Sequence, residues 1–340
     1  MKTTIKKLLM VLMLVPLVNI SCKKDPQGPT VYLAGRFVTE INNGSYNHAA
    51  YWENGKMYPL DESAVDSEAR AIEVEDGKVY VAGRIDYKPC IWVEGQKKEL
   101  SALEGMALGL QVKAGVAYIS GYTRTNQLDS YRAQLWMLDP NGQLTQVPLE
   151  NEMSYAAELI FVEESLLITG VHKMAPCYWK WTPASKTRID LGPKKGTNRQ
   201  PAVYNNEVYI SGAYDTDNDG QLPYKIGYWK GTNFISLGID LNPNTEFESG
   251  LAFDEAGQLY LTANLQGEPG KVAAYYYKNG QQIKLSDQAV AHGIAIFNKD
   301  VYVAGSTYKD AEEQVCYWKN GALRLIKTAR STAMDIEIIN

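Results

Sequence analysis

The pentapeptide VYVAG stands at residues 79–83 and again at 301–305, and looser copies fill the rest of the chain. VYLAG occupies 31–35, AYISG 117–121, LLITG 166–170, VYISG 208–212 and LYLTA 259–263. The seven copies end at positions 35, 83, 121, 170, 212, 263 and 305, so successive intervals run from 38 residues (83 to 121) to 51 (212 to 263). Such a recurrence marks a chain built from one supersecondary unit that cannot bury its own apolar faces and must stack on its copies.

Around each copy the surrounding residues repeat too. Residues 69–100 read ARAIEVEDGKVYVAGRIDYKPCIWVEGQKKEL, and 291–326 follow the same pattern. The first of these holds four short runs, 71–75, 79–83, 90–93 and 97–100, rich in Val, Ile, Tyr and Trp with period-2 alternation, which predicts four strands. No window carries a convincing helical period. First-to-second connections are tight (EDGK at 75–78, YNNE at 204–207, FNKD at 297–300), and so are most third-to-fourth ones (ENGK at 53–56, KNGQ at 278–281, KNGA at 319–322). Asn-Gly and Asp-Gly supply the positive φ angles of two-residue hairpins. Second-to-third connections instead vary from DYK at 86–88 to YDTDNDGQLPYK at 214–225. Four antiparallel strands with tight loops at one end and variable loops at the other make a propeller blade.

The third strand carries an aromatic in every unit: Trp52, Trp92, Trp136, Trp179, Trp229, Tyr277 and Trp318. A ligand platform is not needed seven times, so this column is expected to pack between blades. Two residues earlier the side chain is usually small (Ala50, Cys90, Cys177, Gly227, Cys316), which makes three of the four Cys occupants of one slot. Blades 2, 4 and 7 are not neighbours, so these thiols are expected to be buried and free. The first unit, residues 30–60, lacks a first strand, and the final STAMDIEIIN (331–340) reads as a first strand without the other three. The expected fold is all-β: a seven-bladed β-propeller of four-stranded antiparallel blades over residues 30–340, closed by the C-terminal strand completing the N-terminal blade.

The leader MKTTIKKLLMVLMLVPLVNISC places Lys2, Lys6 and Lys7 before an apolar run at 8–18 and a small residue before Cys22. The run is too short to span a bilayer and reads as a secretory signal peptide over 1–21. With Cys directly after it, the segment resembles a bacterial lipoprotein signal, although Asn19 departs from the usual lipobox residue. The resemblance implies lipidation at Cys22, a tether over 22–29, and an outer-membrane lipoprotein of the cell envelope, surface-exposed or facing the periplasm. The following CKKD is similar to the start of surface lipoproteins of the Bacteroidota. AAYWENGKMYPL (49–60) followed by ARAIEVEDGKVYVAG (69–83) resembles extracellular HAF-type propeller repeats. That likeness implies the architecture and carries no activity.

A net charge of −5 argues against nucleic acid as partner. Membrane association is expected through the lipid anchor only. No nucleophile elbow, phosphate loop, HExxH or CxxC set is present, and no cofactor is required. The three His, His48, His172 and His292, fall toward the variable-loop end, where a zinc site is the sharp reading and solvated loop His the plainer one. Asp215, Asp217 and Asp219 with Gly220 match the first half of a calcium loop. The ninth and twelfth positions are Pro223 and Ile226 rather than ligands, so a solvated acidic loop is the plainer reading there also.

Arg36, Arg84, Tyr122 and Ser306 share one column just after the repeated Gly, beside the expected central funnel. Arg36, Arg84 and Tyr122, with His172 and Tyr214, are the candidate ligand-binding residues, since variable polar side chains on a regular scaffold are where binding is usually placed. The plainer reading pairs Arg36 and Arg84 with carboxylates such as Glu73. Three functions remain open. The first is a non-enzymatic binder or scaffold for an extracellular glycan or protein, using the variable-loop face. The second is a glycan-cleaving hydrolase or lyase using the funnel, which needs titratable groups that converge with shifted pKa values. The third is a structural subunit of an envelope complex, which needs an apolar patch on a rim.

Overall fold

The computed structural model describes residues 28–41, 44–63, 65–124, 131–217, 219–221, 223–241, 249–267, 271–309 and 312–340. The leader, Cys22 and most of the expected tether lie outside the described residues. Among the described residues the chain forms seven four-stranded antiparallel sheets and no helix. Each sheet is one blade, with its first strand innermost. The inner strands are Ser67–Glu75, Glu104–Lys113, Ser154–Val162, Gly196–Tyr204, Leu251–Phe253, Ala289–Phe297 and Ser331–Ile339 in blades 2 to 7 and then 1. Each touches the inner strands of both neighbouring blades, and Ser331–Ile339 closes the ring between those of blades 7 and 2. It pairs with Thr30–Ile41 from Thr30↔Ile339 to Phe37↔Ser331, so the C-terminal strand completes blade 1 as expected.

The tight turns have the predicted chemistry. Asn54, Asp76, Asn205, Asn279, Asn298 and Asn320 all have positive φ, and each is followed by a second left-handed residue. In blades 2 and 4 the second-to-third turns are equally short. Their tips are Tyr87 and Met174, at φ 59° and 71°, where Asn or Gly adopt the conformation more readily.

The aromatic column packs between blades. All six Trp of the column are at most 1% exposed, and Tyr277 is 3% exposed. Trp52 sits with Tyr302, Ala304 and Ile326 of blade 7, and Trp136 sits with Ala71, Tyr80 and Ala82 of blade 2. Several indole N–H groups donate to the end of the preceding blade: Trp179 to Glu150 Oε1 (3.1 Å), Trp229 to Leu191 O (3.1 Å) and Trp318 to Ser286 Oγ (3.1 Å). Cys90, Cys177 and Cys316 are buried and free. Burial pushes all three thiols well up, so they pack as small apolar groups rather than react.

The repeated Gly has a steric cause. Six of the inner strands carry a β-bulge, and in each of those ladders the second-strand Gly lies at its edge: Gly35↔Ala333, Gly83↔Ala69, Gly121↔Ala107, Gly170↔Ala156, Gly212↔Asn198, Gly305↔Ala291. A Cβ on Gly83 would stand 1.9 Å from Glu68 O, and one on Gly305 would stand 1.9 Å from Val290 O. In blade 6 the position is Ala263, and there the inner strand is paired only over Leu251–Phe253, short of that residue. The bulge thus requires the Gly, and it re-aims the inner strand's side chains toward the axis.

Two outcomes check this account. Removing residues 331–340 exposes two strand edges, so the shortened chain should aggregate or melt far below the full one; equal melting temperatures would contradict closure. In denaturant titrations Gly83→Ala should cost about 3 kcal/mol, as overpacking does. Ala263→Gly should cost only about 0.5–1 kcal/mol, the usual penalty of Gly in a strand.

Candidate functional site

The bulged residues line the axis. Arg70, Leu108, Glu158, Arg199, His292 and Met334 all face a central channel of about 220 Å³. Just outside the bulge, the inner strands place Thr332, Glu68, Met106, Tyr155, Thr197 and Val290 in ladder register with Arg36, Arg84, Tyr122, Val171, Ala213 and Ser306. The column chosen from sequence therefore does stand beside the funnel, one strand out from its lip.

On the variable-loop face the funnel opens into a cavity of about 780 Å³ between blades 2 and 5. Three arginines, Arg70, Arg84 and Arg199, line it together with Tyr122, Tyr131 and Tyr155, and no carboxylate does so among the described residues. Its apolar wall is Met106, Leu108, Met153, Val171, Met174 and Leu241. Tyr122 and Tyr131 meet edge to face at 5.0 Å. Burial raises the Tyr122 hydroxyl, and Tyr131 adds to that, while Arg84, Arg124 and Arg70 pull it down. Arg70, Leu108 and Arg199 also line the channel, so they form the throat between the two spaces.

One buried carboxylate gathers Arg70 and Arg84 of the lining together with Arg36. Glu68, 1% exposed, takes Arg70 Nη2 at 2.9 Å and Arg36 Nη1 at 3.4 Å on Oε1, and Arg84 Nη2 at 3.6 Å on Oε2. The expected partner Glu73 is not theirs: it lies farther along the inner strand, hydrogen-bonded to Gln111, and faces the channel. Three guanidiniums thus converge on one carboxylate. Arg84 Nε is a buried donor without a hydrogen-bond partner in the protein.

Of the candidate binding residues, Arg84 and Tyr122 line the cavity, and Arg36 joins the cluster behind it. His172 and Tyr214 do not reach the lining. His172 Nε2 lies 3.1 Å from Glu152 Oε2 at the edge of blade 4. The ring of Tyr214 is buried against Trp229 and Phe234, so it offers no face for stacking. Sequence reasoning missed Arg70, Arg199, Tyr131 and Tyr155. Arg70 had a signal: in ARAIEVE it falls on the same alternation face as Ile72 and Val74, where a charge is out of place.

The three His do not assemble. His48 is buried beside Phe37, 2.6 Å from Thr39 Oγ1, His172 pairs with Glu152, and His292 lines the channel. Among the described residues, Asp215, Asp217 and Asp219 are the group arranged to hold a metal ion, with one oxygen each within 4.8 Å of the others. Asp215 is buried and accepts the Gly220 N–H at 2.9 Å; the other two carboxylates are exposed. Ile226, at the twelfth position, is 1% exposed inside strand Lys225–Lys230 and supplies no ligand. This acidic cluster has the donor set for a divalent cation.

Carboxylates with shifted pKa values do converge, in the channel rather than the cavity. Burial first, then Glu337 and Asp335, lifts the Glu73 carboxyl to about 9. Burial and Asp335 bring Glu337 to about 7. Burial brings Asp335 to about 6, although it accepts the N–H groups of Ile72 (3.0 Å) and Ile336 (2.8 Å), which lower it.

No family model matches the chain, and no curated protein matches it. Solved structures do resemble it. A candidate 6-phosphogluconolactonase from Bacteroides fragilis aligns over 93% of this chain and 100% of its own, at 12% identity and TM-score 0.50. A puromycin-hydrolyzing peptidase of Mycobacterium tuberculosis aligns over 87% of this chain and 53% of its own, at 11% identity and TM-score 0.56. At these identities the likeness is one of fold, and the chain is a seven-bladed β-propeller.

The channel carboxylates set a pH dependence. The folded state keeps protons that the unfolded chain releases above its ordinary carboxylate value of 4.5 for Glu73, so stability falls as pH rises from there toward about 9. Melting temperatures measured across that range should decline for the wild type, and Glu73→Gln should flatten the decline. Parallel curves for the two proteins would contradict the assignment.

Proposed function

We propose that this propeller is a non-enzymatic binding module, held at the bacterial cell envelope by lipid on Cys22, that takes an extracellular ligand at its variable-loop mouth. The observation that carries the reading is the cavity of about 780 Å³ whose described lining includes Arg70, Arg84 and Arg199 and no carboxylate. Its volume lies in the roughly 300–1,000 Å³ range of small-molecule sites, and its charge selects an anion-bearing partner. Exposed apolar side chains support the same face: Tyr87, Leu103, Tyr131 and Met174 on its loops and turns and Tyr308 at the end of strand Asp300–Lys309 are all 38% exposed or more.

The envelope setting rests on the leader and on the likeness of CKKD and the HAF-type repeats to Bacteroidota surface proteins. No helix among the described residues is long and apolar enough to cross a membrane. Calcium at Asp215, Asp217 and Asp219 is proposed as an accessory of the loop beside the mouth. A second reading, a glycan hydrolase or lyase, is favoured by Glu73, Asp335 and Glu337. It is the weaker one, because a channel of about 220 Å³ behind the throat is too small for a sugar ring and its neighbours.

Metabolic labelling with a palmitate analogue should mark the wild type and not Cys22→Ala; label that survives the substitution contradicts the anchor. For the binding face, the immobilised protein is screened against glycan and peptide arrays and small organic acids. Arg84→Gln and Tyr122→Ala should abolish capture, while Asn279→Ala and Asn320→Ala in the opposite turns should leave it intact. The reverse pattern would place binding on the other face.

A further inference from the structure

We infer that the ligand of the mouth cavity is an amphipathic acid, a small molecule with one anionic head on an apolar body, rather than a sugar chain. The inference rests on the binding reading above and narrows its ligand. A sugar presents hydroxyls all round its ring, and a site for it must answer them with planar polar side chains. The described lining has no Asp, Glu, Asn or Gln. Each sugar hydroxyl buried there without a partner would cost about 1–3 kcal/mol. An apolar body meets no such penalty against Met106, Leu108, Met153, Val171, Met174 and Leu241. Three of these are methionines, whose flexible thioethers adapt to the shape of an apolar guest.

The head has its own site. Glu68 gathers Arg36, Arg70 and Arg84 on one carboxylate. Arg70 is held close, at 2.9 Å, whereas Arg84 stands off at 3.6 Å. Arg84 is therefore the guanidinium placed to turn onto a ligand anion while Glu68 keeps its neighbours in position. Arg199 faces the same space from blade 5. Head and body sites share one cavity, which is what an acid with an apolar tail requires and what a bare inorganic anion does not use. At the lip, Met174 is 51% exposed at the tip of its turn in a left-handed conformation. An apolar side chain thus stands where the entering body would first touch the protein.

Titration calorimetry with four probes tests the assignment on the mature chain. Dodecanoate carries head and body, dodecan-1-ol the body alone, acetate the head alone, and tri-galacturonate the anion on a sugar frame. Dodecanoate should bind saturably at one site. The alcohol should bind about tenfold more weakly or worse, and acetate and tri-galacturonate should give no measurable heat. Arg84→Gln should weaken dodecanoate by about tenfold or more. Met174→Glu, at an exposed turn tip where folding is safe, should weaken it as well by placing a negative charge at the entrance. Binding of tri-galacturonate without dodecanoate would overturn the amphipathic ligand and leave the anion-binding mouth standing. Equal binding of acid and alcohol, indifferent to Arg84→Gln, would overturn the head site. No heat from any probe would overturn the inference, while the array screen would still decide the binding face.

Discussion

The approach of the inner-strand carbonyl to the second-strand Gly is the contact on which the rest of this molecule depends. At Gly83 that carbonyl lies 1.9 Å from where a Cβ would stand, closer than any side chain tolerates. Removing the side chain lets the inner strand bulge, and the bulge turns Arg70, Leu108, Glu158, Arg199, His292 and Met334 toward the axis. The repeated Gly is thus both a packing device and the reason the funnel has a chemical lining.

The bulged carbonyls also tie the blades together, and they do so unevenly. Ser120 donates to Ala157 O at 2.5 Å, Thr169 to Arg199 O at 2.6 Å, Ser211 to Ser249 O at 2.9 Å and Thr262 to His292 O at 2.8 Å. Each hydroxyl reaches the inner edge of the next blade, and three of the four carbonyls, those of Ala157, Arg199 and His292, lie in a bulge that has taken them out of the ladder. In blades 7, 1 and 2 the same position holds Ala304, Ala34 and Ala82. On that side Asp335 of blade 1 instead accepts the Ile72 N–H of blade 2. The same two inner strands carry Glu68, Glu73, Asp335 and Glu337. The ring is therefore symmetric in its aromatic wedges and asymmetric in its polar links, and the charged chemistry gathers where the hydroxyls are missing.

Much of the fold was legible because its signals are periodic. Six Gly-ended strands and a seventh ending in Ala263, seven third-strand aromatics, Asn-Gly turns and an incomplete first unit are enough to set blade number and closure. The hydroxyl links were written in the same pentapeptides, as the Ser or Thr of AYISG, LLITG, VYISG and LYLTA, but their partners lie one blade away. The site was half legible. Arg84 and Tyr122 occupy the predicted column, because ladder register carries that column to the funnel lip. Tyr214 and His172 were read as loop residues facing a ligand, yet Tyr214 turned inward against Trp229 and Phe234 and His172 pairs with Glu152. Glu68 replaced Glu73 as the arginines' partner because a bulge of one residue changes which carboxylate faces outward. Alternation cannot announce its own interruption.

The most direct test of the central claim, that the bulged ring builds an anion-accepting mouth, is to locate a ligand by its own scattering. Crystals grown with 12-bromododecanoate would show bromine by its anomalous signal and the carboxylate in the density map. The account predicts bromine among Met106, Met153 and Met174, with the carboxylate within roughly 3 Å of Arg84, Arg70 or Arg199. Bromine ordered on the tight-turn face, or a carboxylate resting away from all three arginines, would contradict it.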